Sequence, residues 1–232
     1  MSDKHDRYDS SDPDILAAYQ HETLGEYDDA IKHYKLALDK DPELGIVYKH
    51  IGNIFYRQGN ILQALQYLEK ATEKMPEFPT AFYELALALY KSGSLKKGIA
   101  TLKKVIEMDK HFLQAYYWLG ILNYHAGHLS EARESFVHVT KVNPDFVVAF
   151  FHLGVVDLRL GFYEEAAVSL KSVVEKNPES PSAFALLGDA YLNLEKKFEA
   201  RNAYNKALEL DPDDVKAKNG LAHLDDFSEA MF

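Results

Sequence analysis

His125 and His128 are the closest pair among the ten histidines of this chain, and two imidazoles three residues apart are the one hint of a metal site. Gly127 lies between them and breaks any shared helical face, and no carboxylate is fixed beside them, so surface histidines are expected here. Asn123 and Asp157 recur one period apart inside apolar runs. A buried carboxylate needs hydrogen-bond partners or a shifted pKa, and an interhelical hydrogen bond answers that need more simply than an acid–base pair does. The chain has no cysteine, which excludes disulfides and cysteine zinc ligation. A nucleophile elbow, a phosphate-binding glycine loop and a zinc motif are all missing from the sequence. These residues therefore predict a non-catalytic protein that needs no cofactor and no metal.

The elements that carry these residues repeat. Between Gly45 and Phe78, Tyr48, Ile51, Gly52 and Phe55 define one apolar helical face and Ala64, Leu68 and Ala71 a second, with Gly59 at the turn and Pro76 at the end. Shifting this template by 34 residues superimposes Ala30, Ala64, Gly98, Ala132, Ala166 and Ala200 in one position, and Gly25, Gly59, Gly93, Gly127 and Gly161 in another. A fixed period of this length is the mark of a stacked array of supersecondary units. The spacing and residue pattern resemble the tetratricopeptide repeat family over roughly residues 11–232. The resemblance implies an all-α, right-handed α-solenoid of about six helical hairpins plus a C-terminal capping helix, used as a binding scaffold.

The expected organisation is a disordered leader over residues 1–11, six repeats at 11–44, 45–78, 79–112, 113–146, 147–180 and 181–214, and a capping helix over 215–232. Asp12 and Pro13 read as an N-cap and a first helical residue. Asp14 and His21 replace the aromatic and apolar residues of later repeats, as suits a terminal unit with one wet side. The small residues Gly52, Ala86, Gly120, Gly154 and Gly188 are expected to face the alanine position of the second helix and so let the two helices approach. Pro42, Pro76, Pro144, Pro178 and Pro212 are expected to stop each second helix. In the third repeat Lys110 replaces the proline and Gly98 the alanine, so the array is expected to be least well specified there. Glu195 takes the glycine position in the sixth. Val215, Leu221, Leu224, Phe227 and Met231 mark the apolar face of the last helix.

At 100° per residue, positions 2, 5, 9 and 12 of each first helix lie opposite the hairpin-packing face. In the family this second set lines a concave groove. Here the groove set is Lys49, Asn53, Tyr56, Tyr83, Leu87, Tyr90, Tyr117, Ile121, Tyr124, Phe151, Val155 and Leu158, with Trp118 flanking it. Tyrosines at positions 5 and 12 are usual for the family, and a tyrosine buries its ring while wetting its hydroxyl. Leu87, Ile121, Val155, Phe151 and Leu158 are the more telling residues, because they make these helices apolar on both sides. One ligand mode of the family, the clamp on a C-terminal carboxylate, is matched by Lys49 and Asn53 but not by Glu84, Gln114 or Trp118, so chaperone tails are not the expected ligand.

The formal charge of -10 opposes nucleic acid, whose phosphates it would repel. Residues 1–11 lack the apolar core of a signal peptide, and no run approaches the ~20 apolar residues of a membrane span, so a cytoplasmic location is expected. Two functions fit. The first is an adaptor that holds a peptide or helical segment of another protein in an apolar, aromatic groove. The second is a self-assembling scaffold, similar to bacterial scaffolds of the magnetosome-associated kind, in which a first helix bearing Ile15, Leu16 and Tyr19 docks into the groove of the next copy.

Overall fold

Each repeat becomes two helices because its apolar residues recur at helical spacing and a glycine breaks the run. The computed structural model describes residues 12–229, with side chains to Asp225. The expected disordered leader and Met231 lie outside the described residues, as does the side chain of Phe227. Among the described residues there are thirteen helices and no strand: α1 (Pro13–Leu24), α2 (Tyr27–Lys40), α3 (Gly45–Arg57), α4 (Ile61–Lys74), α5 (Pro79–Lys91), α6 (Leu95–Met108), α7 (Leu113–His125), α8 (Leu129–Val142), α9 (Val147–Leu160), α10 (Tyr163–Lys176), α11 (Pro181–Asn193), α12 (Lys197–Leu210) and α13 (Val215–Glu229). This is the all-α class of a helical-hairpin solenoid. The chain divides into two compact units at Trp118–Leu119, inside α7.

In the first unit α1 pairs with α2, α3 with α4 and α5 with α6, and consecutive hairpins stack through α2 on α3 and α4 on α5. Its core runs through Ile15, Ala18, Tyr34, Val47, Ile51, Ile54, Ala64 and Leu68, all at most 1% exposed. In the second unit α9 pairs with α10 and α11 with α12, and α13 packs on α11 and α12. There Ala200, Tyr204, Ala207, Ala217 and Leu224 form the last core layer, with Leu221 beside it. Gly25, Gly59, Gly93, Gly127 and Gly161 all sit at φ between 77° and 81°, the left-handed region that a glycine enters without a Cβ clash. Glu195 takes the same turn at φ 58° and is the sole non-glycine residue at positive φ among the described residues.

One expectation about helix packing is corrected. Gly52 does not face Ala64; a Cβ on Gly52 would lie 2.7 Å from Cγ of Leu68. The same holds for Gly120 against Phe136, Gly154 against Leu170 and Gly188 against Tyr204. The small residue makes room for the largest buried side chain of the second helix, four positions beyond the alanine. Five second helices end as expected, two residues before Pro42, Pro76, Pro144, Pro178 and Pro212, at Lys40, Lys74, Val142, Lys176 and Leu210. α6 ends at Met108 although Lys110 stands in the proline position, because the Asp109 carboxylate accepts the His111 N–H at 2.9 Å. Asp41, Asn143 and Asp211 make the same local bond to the residue two positions on, at 2.9 Å, 3.0 Å and 3.0 Å. A side chain that holds its own backbone out of the helix is a stop in itself.

The N-terminal cap forms as the sequence requires. Asp12 accepts the N–H groups of Asp14 at 2.8 Å and Ile15 at 3.4 Å, with Pro13 as the first helical residue. Asp14 and His21 are polar because they staple α1 to neighbouring groups rather than because they are idle. Asp14 pairs with Lys40 at 2.6 Å and His33 at 3.1 Å, while His21 stacks on His33 and bonds Glu26 at 2.6 Å.

Candidate interaction surface

In the first unit α3, α5 and the start of α7 carry the groove positions as a wall of aromatic rings. Tyr56, Tyr83, Leu87, Tyr90, Tyr117 and Trp118 are all half-buried. The ring centroid of Trp118 lies 5.6 Å from that of Tyr90 and 5.9 Å from that of Tyr117, nearly edge-on to the latter at 77°. Tyr83 packs its ring 5.1 Å from Phe112, and its hydroxyl accepts the indole N–H of Trp118. These are the offset and tilted geometries that aromatic pairs prefer. Burial pushes the hydroxyls of Tyr56, Tyr83 and Tyr117 above the usual tyrosine range, and neighbouring tyrosines push the same way.

Lys49 and Asn53 lie beside this wall and are already engaged. Glu84 on α5 reaches Lys49 Nζ at 3.7 Å and bonds the Asn53 side chain. Desolvation pushes the Glu84 carboxyl up in spite of Lys49 and Asn53, and its Oε2 is buried with no hydrogen-bond partner. The pair that could grip a ligand carboxylate is thus filled by a carboxylate of the chain itself, a more direct obstacle than repulsion.

A second polar group joins three helices in the same unit, and sequence reasoning missed it. One oxygen of Glu22 on α1 accepts the Tyr34 hydroxyl of α2 at 2.8 Å and lies 3.0 Å from Nδ1 of His50 on α3. Arg57 approaches the other oxygen at 3.6 Å, and the His50 ring stacks on Tyr34 with centroids 5.4 Å apart. Burial raises the pKa of Glu22, but the hydrogen bonds from His50 and Tyr34 and the charges of His50 and Arg57 outweigh it and hold the carboxyl below the usual glutamate value. The available signal was Tyr34 in the position of Leu68, Leu102, Phe136 and Leu170, with Glu22 in the position of Tyr56, Tyr90, Tyr124, Leu158 and Leu192. Tyr204 repeats the device in the second unit, donating to Asp189 at 2.8 Å while Lys216 holds the other Asp189 oxygen at 2.9 Å.

The second unit places its groove residues less openly. Ile121 is 8% exposed, so its side chain is buried in the protein and does not line an accessible surface as expected. Phe151 and Leu158 are half-buried and pack on the core around Ala166, Ala167 and Leu170. Val155 is half-buried, and Tyr124 carries the Arg159 guanidinium over its ring at 4.9 Å. The chemically suggestive residues have structural partners. Asp157, buried on α9, accepts from Arg133 Nε of α8 at 2.5 Å, while its second oxygen has no partner; desolvation pushes its pKa up. His125 and His128 are exposed, and His152 stacks on Phe136, with burial lowering its pKa. Among the described residues no three His, Cys, Asp or Glu side chains gather as metal ligands, and no helix is long and apolar enough to cross a membrane.

Family models of the tetratricopeptide repeat match residues 23–59 and 52–93, 79–112 and 113–146, and 151–215 and 187–223. No curated protein matches the sequence. Among solved structures the chain resembles YrrB, a tetratricopeptide repeat protein with an unusual peptide-binding site, at 21% identity and a TM-score of 0.75, covering 82% of this chain and 97% of that one. It also resembles MamA from Desulfovibrio magneticus RS-1 at 20% identity and a TM-score of 0.69, covering 74% and 97%. A second MamA structure shares 25% identity at a TM-score of 0.67, covering 69% and 94%.

Proposed function

The chain belongs to the tetratricopeptide repeat family, and on that premise we propose that it is a non-catalytic adaptor whose first unit holds a segment of another protein against the aromatic wall. The observation that carries the proposal is the group Tyr56, Tyr83, Tyr90, Tyr117 and Trp118, five half-buried rings with Leu87 among them. Rings that are part buried and part wet give large contact area with few rotors to freeze, the character of residues that dominate binding energy in protein interfaces. The groove positions of the second unit play a secondary part, since Ile121 is covered and Phe151 and Leu158 belong to the margin of the core. The peptide-binding site of YrrB supports the reading by likeness of fold.

A self-assembling scaffold is the second reading, favoured by the outer face of α1, where Leu16 and Tyr19 are each 49% exposed and Leu24 72%. Ile15 has no part in it, being 1% exposed in the chain's own core. One set of preparations separates the two. The wild-type chain and the Leu87→Asp/Tyr117→Asp variant are compared for capture of partner proteins, and light scattering reports their mass. The adaptor reading expects capture by a monomer and loss of capture in the variant with an unchanged helical spectrum. Capture that survives the two aspartates overturns it, and large assemblies that persist in the variant but disperse with Leu16→Asp/Tyr19→Asp install the scaffold in its place.

A further inference from the structure

We infer that the exposed lysines of α6 form a second docking surface, one that takes an acidic segment of another polypeptide. The inference goes beyond the adaptor reading and does not rest on the aromatic wall. Residues 91–110 hold Lys91, Lys96, Lys97, Lys103, Lys104 and Lys110 against Glu107 and Asp109, a net charge of +4. The whole chain carries -10, so the rest of it carries -14. Lys96, Lys97, Lys103 and Lys104 all lie on α6 and are exposed, while Gly98, Leu102 and Val105 between and beside them are buried. At 100° per residue Lys96 falls in line with Lys103 and Lys97 with Lys104, so the four share the outer side of one helix. Among the described residues none of the four pairs with a carboxylate; Lys104 instead stands 3.9 Å over the Phe82 ring. Lys40, Lys74, Lys176 and Lys216, by contrast, each hold an acidic partner.

Folding does not explain this placement. Lys96 and Lys97 are the second and third residues of α6, where the outward-pointing N–H groups of a helix N-terminus favour negative charge. Four other second helices meet that preference with an acid in the first turn: Asp28 and Asp29 in α2, Glu131 in α8, Glu164 and Glu165 in α10, and Glu199 in α12. A choice that works against its own helix points to a need outside it. Uncompensated charge of one sign on an exposed face draws the opposite sign, most strongly at low salt. The observations favour a polypeptide over a membrane. Of the exposed large apolar side chains among the described residues none is on α6, so nothing there enters a bilayer. A broad anionic surface laid over the first unit would also meet exposed Asp28, Asp29 and Glu69, which hold the positions of Lys96, Lys97 and Lys103 in earlier repeats. A single acidic segment can follow α6 alone.

The test uses the full chain and fluorescein-labelled deca-glutamate, read by anisotropy at low ionic strength, with deca-glutamine as the uncharged control. Saturable binding of deca-glutamate alone is expected, fading as salt is raised. Lys96→Glu/Lys97→Glu should weaken it about tenfold. Lys171→Glu/Lys206→Glu makes the same change in net charge at lysines that already have acidic partners, and should leave binding nearly unchanged. The first variant should also unfold at the same or a higher urea concentration than wild type, since an acid suits the helix N-terminus. Failure of deca-glutamate to bind, equal loss in the two variants, or a lower unfolding midpoint in Lys96→Glu/Lys97→Glu overturns the inference. Sedimentation with vesicles of equal parts phosphatidylserine and phosphatidylcholine, in place of peptide binding, assigns the stripe to a membrane. Assemblies in light scattering that disperse in Lys96→Glu/Lys97→Glu assign it to a second copy of the chain, and either result overturns the choice of partner.

Discussion

Gly220→Ala tests how the last helix is held. Tyr204 of α12 is fully buried between two glycines, Gly188 on α11 and Gly220 on α13. A Cβ at Gly220 would stand 2.2 Å from Cζ of that ring and 2.5 Å and 2.6 Å from its Cε atoms, well inside contact distance. The ring has no easy way to yield, because it packs so closely on Gly188 that a Cβ there too would stand 2.5 Å from its other edge, and the hydroxyl is tied to Asp189 at 2.8 Å. Overpacking of this kind costs about 1–3 kcal/mol. Disturbing the Tyr204–Asp189 bond adds about 1 kcal/mol, while alanine's helix propensity returns about 1 kcal/mol. The net expectation is a loss of about 1–3 kcal/mol, although Gly→Ala in a helix ordinarily stabilises. Urea unfolding reads the total, and amide exchange over α13 shows whether the loss begins there. The Tyr204→Ala background should remove most of the penalty, since the clash partner is gone. A Gly220→Ala chain as stable as wild type, or a penalty that persists without the Tyr204 ring, would refute the reasoning.

Glu195→Gly should stabilise the chain by about 1 kcal/mol in thermal melts, because Glu195 is held at φ 58° in a turn where five other repeats use glycine; no gain would mean the strain is relieved locally. Glu22→Gln should flatten the acid limb of stability. The folded pKa of Glu22 lies below its usual 4.5, so its contribution is present above 4.5 and lost as pH falls through the folded value. Amide exchange in α1 and α2 between neutral and acid pH measures this, and an unchanged pH slope in the variant would remove Glu22 as the cause.

The period made the fold legible. A strict 34-residue spacing of glycine and alanine places every turn and every hairpin, since each turn needs a left-handed residue and each hairpin a close approach. What the pattern did not tell was which atoms meet. The alanine of the second helix recurs without exception apart from Gly98, and so attracted the pairing with the small residue of the first helix, yet the contact falls on the bulky side chain one turn further on. Helix stops were read from proline, and where Lys110 takes its place Asp109 holds the backbone through its own side chain, as Asp41 does before Pro42. The groove was legible as positions and not as accessibility. Ile121 and Leu87 occupy the same slot of neighbouring repeats, and one is covered while the other is half-open, a difference set by packing partners that the period does not contain.

The polar substitutions in the terminal repeats follow one physical rule that links packing to the surface. Tyr34 and Tyr204 replace the buried Leu68, Leu102, Phe136 and Leu170 of the central repeats, and a buried hydroxyl without a partner costs about 1–3 kcal/mol. Each is therefore tied to a carboxylate from its partner helix, Glu22 or Asp189, and each carboxylate is then shared with a cationic or imidazole group, His50 and Arg57 in one unit and Lys216 in the other. Glu84 and Asp157 are likewise bound internally, to Lys49 and Arg133. Much of the acidity on the inner helices is thus consumed within the fold. Beside the half-buried rings of the first unit Glu84 is likewise paired with Lys49, although the chain as a whole carries a charge of -10.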